Sequence, residues 1–191
     1  MKRIAIFASG SGTNAQQIIE HFKDNEAIEV SLVLTNNSKA FVLERAAKLK
    51  VPSYVFNRTL FYETNQVHDI LREIGIDFIV LAGFLWLIPK NILQSWPGRI
   101  VNIHPALLPK FGGKGMYGDK VHQAVIKAGE KETGISIHYV NEKYDEGEII
   151  FQEKFEVLPV DTPDTIAERI HVLEHKHFPI VIEELVSKLD D

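Results

Sequence analysis

The chain has 191 residues, 45% of them hydrophobic, which suffices for a full core and predicts one domain over residues 1–191. Its 21 basic and 26 acidic residues give a formal charge of −5 with no Lys/Arg block, which argues against a nucleic-acid partner. There is no cysteine, so disulfides, thiolate nucleophiles and cysteine-based zinc sites are excluded. The N-terminus enters a strand without a signal-peptide core, and no apolar run reaches membrane-spanning length. A cytoplasmic protein without a membrane partner is therefore expected.

Helical stretches alternate with apolar strand-like runs, the pattern of an α/β fold. Residues 2–8 (KRIAIFA) predict a central parallel strand. The small-residue turn 9–14 (SGSGTN) then leads into a helix over 15–22. Ser11, Gly12, Thr13 and Asn14 offer open backbone N–H groups at a helix start, which suits a phosphate. The spacing is neither GxGxxG nor a P-loop, so a phosphomonoester is expected in place of a dinucleotide or ATP. A plain tight turn, with Thr13 or Asn14 capping the helix, is the alternative.

Residues 28–34 predict a second strand, and 35–38 a loop whose Ser38 caps a helix running to residue 50. Residues 51–56 form a short strand that Pro52 pushes towards an edge. A helix over 61–74 is ended by Gly75. Arg58, just before it, is a candidate carboxylate or phosphate contact, with a solvated arginine as the other reading. Residues 77–82 (DFIVLA) predict a second central strand. The segment 83–88 (GFLWLI) after it forms either a slot for a flat heterocycle or ordinary core, and Pro89 opens a short helix.

Residues 100–103 form a buried strand that Pro105 must end. Alternation puts Asn102 and His104 on one face at its carboxyl end, where open α/β sheets bind ligands. A neutral amide beside an ionisable imidazole suits a reaction in which a carbonyl oxygen becomes negative. A satisfied polar pair closing the strand is the bland reading. Four glycines within 112–118 predict a mobile loop, a lid or a simple connector, and Asp119 is expected to cap the next helix, to residue 128. Residues 134–140 (GISIHYV) alternate as a strand with Ser136 and His138 on one face. In the turn 141–147 (NEKYDEG), Asp145 or an acidic neighbour can reach His104 and hold it as the imidazolium. A last strand covers 149–157, and Thr162 with Pro163 starts the final helix. That helix carries H-x-x-E-H at 171–175, the ligand spacing of some zinc sites. With no third ligand at a recognisable spacing and Pro179 expected to break the helix, no metal is predicted.

Taken together, SGSGTN (9–14), VLAGF (80–84), NIHPALLP (102–109), HYVNEKYDEG (138–147) and LEHKHFP (173–179) resemble the glycinamide ribonucleotide formyltransferase family of folate-dependent enzymes. The resemblance implies a Rossmann-like fold: a mostly parallel twisted sheet with helices on both faces and an antiparallel strand towards the C-terminal part. It implies Asn102, His104 and Asp145 as the catalytic trio. Ser11, Gly12, Thr13 and Asn14 would hold a 5′-phosphate, and Glu174 the ribose or glycinamide portion. Leu85, Trp86, Leu87 and Ile88, with Asn102, Asn141, Glu142, Lys143, Tyr144 and Asp145, would line the folate pocket, with Arg58 a candidate for the folate tail. Trp86 departs from the family, standing where relatives often carry an arginine, and segment 111–118 is unusually glycine-rich. The implied reaction passes a formyl group from 10-formyltetrahydrofolate to glycinamide ribonucleotide, with small-molecule partners only, no metal, and a monomer or weak homodimer. Formyltetrahydrofolate deformylase usually carries an extra N-terminal domain, and methionyl-tRNA formyltransferase a C-terminal barrel and a basic surface. Both are less expected here, and a non-catalytic phosphate-binding module is the alternative from another class.

Overall fold

The computed structural model describes residues 1–189, so the last two residues of the expected domain lie outside the described residues. Seven strands form one sheet: β1 (Lys2–Phe7), β2 (Ile28–Thr35), β3 (Ser53–Val55), β4 (Phe78–Leu81), β5 (Ile100–His104), β6 (Glu132–Tyr139) and β7 (Ile149–Glu156). Their spatial order is β3-β2-β1-β4-β5-β6-β7. The first five run parallel, while β6 is antiparallel to β5 and β7 to β6. β7 therefore runs parallel to the first five strands, and β6 is the antiparallel strand expected towards the C-terminal part.

Strand alternation divides the core. Ile4, Ile6 and Ala8 point to one face, which is covered by α1 (Thr13–Phe22), α2 (Val42–Lys48), α5 (Asp119–Lys127) and α6 (Pro163–Val186). Ala5 and Phe7 point to the other, under α3 (Gln66–Ile74), α4 (Lys90–Ser95) and a π-helical turn over Thr59–Glu63. Helices on both faces make β1 and β4 continuous apolar strands, as their sequences predict. Between β1 and β4 the chain order reverses, and that reversal opens a crevice at the carboxyl ends of the strands.

Local departures have side-chain causes. The residue preceding α1 is Gly12, in the left-handed region at φ 72°, and neither Thr13 nor Asn14 caps the helix. Ser38 does not cap α2, because Asn37 accepts the amides of Lys39 and Ala40 (both 3.0 Å) and so forms a turn that delays the helix to Val42. The helix expected over 61–74 is split. The Thr64 hydroxyl accepts from the Gln66 amide (3.2 Å) and donates to the Leu60 carbonyl (3.0 Å), which starts α3 anew; Gly75 then closes it as expected. Asp119 sits in the first turn of α5 without capping it. A capping box between Thr162 and Thr165 opens α6, but Pro179 does not break it. Burial of Phe178, Val181, Ile182 and Val186 against the sheet outweighs the one backbone bond a proline forfeits. Among the described residues no helix is long and apolar enough to cross a membrane.

Candidate active site

At the crevice lies a cavity of about 560 Å³. Its walls are the turn after β1, the end of β5, the loop before α5, and Glu174 from α6. Asn102 and His104 project from β5 to the same side and meet Asp145 from the turn after β6. His104 Nδ1 lies 3.5 Å from Asp145 Oδ2, and Asn102 Nδ2 lies 3.4 Å from Asp145 Oδ1. Asp145 adopts a left-handed conformation (φ 55°), one that aspartate tolerates better than most residues. Its carboxylate also accepts the Gly113 amide at 2.9 Å. Gly147 lets the turn fold this tightly, since a Cβ there would stand 1.6 Å from the Tyr139 carbonyl oxygen. The trio expected from sequence is assembled in one place.

Burial and the neighbouring carboxylate act in opposite directions on the His104 ring. Burial pushes the His104 pKa down from its ordinary 6.5, and this outweighs the opposing pull of Asp145 and of the Phe111 carbonyl. His104 Nε2 lies 2.8 Å from the Phe111 carbonyl, an acceptor only, so that nitrogen carries the hydrogen and Nδ1 faces Asp145. Burial pushes Asp145 upward, but the contacts around its carboxylate, the Gly113 amide among them, bring its pKa below the usual value.

The far end of the cavity is formed by the turn expected to take phosphate. A Cβ on Gly12 would stand 2.4 Å from Val42 Cγ2 and 2.8 Å from its Cα, so only glycine fits between α1 and α2. Arg45 donates to the Ser11 carbonyl (2.8 Å) and steadies the turn. Asn14 Nδ2 donates to buried Glu174 at 2.8 Å. Burial raises the Glu174 pKa to about 7, the Asn14 hydrogen bond opposing it. The pair thus links the phosphate turn to α6.

Of the residues expected to hold folate, Leu85, Asn102, Tyr144 and Asp145 line the main cavity. Arg58, Trp86, Leu87, Glu142, Lys143 and Tyr144 line an adjoining one of about 740 Å³, which shares Gly113, Lys114 and Tyr144 with the first. The Arg58 guanidinium stacks over the Trp86 ring, 4.9 Å from its centroid. Ile88 and Asn141 line neither cavity: Ile88 is buried in the core, and Asn141 shapes the turn by accepting the Lys143 amide.

The loop after Pro109 is tied to the site at residues 111–113, while Gly115 and Gly118 beyond have open space around them, as the glycine-rich stretch predicts. Gly112 packs against Leu108 and Asp145, Phe111 and Gly113 bond His104 and Asp145, and Met116 and Tyr117 face the cavity. In the H-x-x-E-H stretch, the His171 and His175 rings stack 6.0 Å apart. Among the described residues no three histidine or acidic side chains are grouped to hold a metal ion. Sequence reasoning missed buried His122, the loop's backbone groups and His138, whose Nε2 lies 3.0 Å from Asn102 Nδ2. The alternation that put His138 with Ser136 carried the signal, but it required the register pairing Asn102 with His138.

An amide, an imidazole and a carboxylate beside a glycine turn, at the reversal point of a mostly parallel sheet, can stabilise negative charge developing on a carbonyl oxygen. The chain belongs to the formyl transferase family, which it matches over residues 2–182. It is 40% identical over 194 residues to phosphoribosylglycinamide formyltransferase of Bacillus subtilis, covering 98% of this chain and 96% of that one. It is 42% identical over 187 residues to the chloroplastic phosphoribosylglycinamide formyltransferase of Arabidopsis thaliana, covering 95% of this chain but 64% of the relative. In the trifunctional purine biosynthetic protein of Drosophila pseudoobscura pseudoobscura it spans 14% of the relative's length, at 38% identity over 97% of this chain. The crystal structure of phosphoribosylglycinamide formyltransferase from Bacillus halodurans superposes with a TM-score of 0.87 at 39% identity, covering 99% of this chain and 97% of that one.

Proposed function

We propose that the protein transfers the formyl group of 10-formyltetrahydrofolate to the amine of glycinamide ribonucleotide in purine biosynthesis. The observation carrying this reading is the Asn102–His104–Asp145 cluster, with each contact within 3.5 Å, between a phosphate-suited turn and a second cavity. In this reading the Ser11–Asn14 turn takes the 5′-phosphate on its N–H groups and Glu174 contacts the ribose or glycinamide portion. The pterin ring sits beside Leu85 and Tyr144, and the folate tail passes Trp86 and Arg58. Trp86 supplies a ring face there, and Arg58 is the cation available to a tail carboxylate.

The amine attacks the formyl carbon, forming the new C–N bond as the carbonyl oxygen becomes an oxyanion. Asn102 donates a hydrogen bond to it. The bond to N10 then breaks, and the proton lost by the amine ends on N10. His104 and Asp145 hold that proton in between: its arrival on Nδ1 turns a 3.5 Å contact into an ion pair. The imidazolium is a state reached during transfer.

Purified protein is incubated with each substrate alone and with both. The reading expects formylglycinamide ribonucleotide and tetrahydrofolate only when both are present. Formate release without the amine would instead indicate a deformylase, and phosphate-ester binding without turnover a non-catalytic module.

A further inference from the structure

Behind the trio, His138 is a buried ring whose two nitrogens have unequal neighbours. Nδ1 lies 2.8 Å from the Tyr139 carbonyl oxygen, which can only accept, so Nδ1 carries a hydrogen. Nε2 lies 3.0 Å from Asn102 Nδ2, which can only donate, and 3.6 Å from Asp145 Oδ1, beyond hydrogen-bond reach, so Nε2 offers its lone pair. The two contacts agree on a single tautomer, the neutral ring with hydrogen on Nδ1.

The consequence falls on Asn102. An amide can rotate by half a turn about its last bond, and only its partners decide which end faces a ligand. With one Nδ2 hydrogen bound to His138, the other is aimed towards Asp145, across 3.4 Å. That separation is long for a hydrogen bond to a carboxylate, so this second hydrogen is readily given up to an incoming oxyanion. We propose that His138 is a positioning residue for formyl transfer, fixing the Asn102 amide so that its free N–H points at the developing oxyanion. The proposal rests on the reading of Asn102 given above.

Two measurements test it. Long-range ¹H–¹⁵N spectra of the histidine-labelled protein at neutral pH should show His138 with hydrogen on Nδ1 and a bare Nε2. Hydrogen on Nε2 would overturn the proposal whatever the enzyme's activity. In the second, His138→Leu should lower kcat about 30-fold, with KM for both substrates within about threefold of wild type. His138→Gln, whose carbonyl can accept from Asn102, should recover most of the loss. In an Asn102→Ala background His138→Leu should cost less than threefold, because there is no amide left to orient. An equal loss in both backgrounds would show a merely structural ring and contradict the proposal. Wild-type protein that transfers no formyl group would count against the functional reading, leaving the tautomer to be decided by the spectra.

Discussion

The turn before α1 and the turn after β6 close opposite ends of one cavity by different means. The first relies on backbone shape: Gly12 is left-handed, it is wedged against Val42, and the turn lines the cavity. The second relies on side chains: Asp145 is held by Gly113 and faces His104, Asn102 and, 3.6 Å away, His138. A backbone site tolerates changes of side chain but not of conformation. A side-chain site loses its chemistry with one carboxylate while its fold survives. Substitutions at the two ends should therefore fail in different ways.

The largest effect is expected at the side-chain end. Asp145→Asn keeps an acceptor for Gly113 but removes the charge that receives a proton on His104, and should lower kcat by about 10²–10⁴-fold with little change in unfolding temperature. Steady-state kinetics with a thermal melt check both halves. Glu174→Gln probes the link between the ends. Because the Glu174 pKa is raised to about 7, the folded state holds a proton that the unfolded chain releases near 4.5. Stability from this group is thus complete below about pH 4.5 and lost as pH rises through 7, a change of ~3 kcal/mol. Denaturant melts from pH 5 to 8 should fall more steeply for wild type than for the variant, and parallel curves would refute the assignment.

At the backbone end, Gly12→Ala should cost about 2–4 kcal/mol through its left-handed conformation and the clash with Val42. It should also raise KM for glycinamide ribonucleotide while leaving KM for the folate near wild type. The smallest effect is expected from Arg58→Ala. This exposed side chain stacks on Trp86, and its loss should change stability by less than ~1 kcal/mol and raise KM for the folate less than tenfold.

Much of this arrangement is written locally. Apolar runs marked β1, β4 and β5, Pro105 fixed where β5 ends, and two-residue spacing placed Asn102 with His104. Other features depend on what packs from far along the chain. Pro179 stays helical because the sheet buries its neighbours, and the His104 pKa falls because the fold removes its water. His138 meets Asn102 only through the β5–β6 register. Local patterns carry strand ends and face assignments; charge states and cross-strand partners arise only once the layers close.

The central claim is that Asn102 and His104 act on the transition state. Its most direct test is the single-turnover rate of Asn102→Ala and His104→Ala with both substrates saturating. Each variant should lose at least about 10²-fold in rate, with substrate binding retained. Transfer at near-wild-type rates in either variant would contradict it.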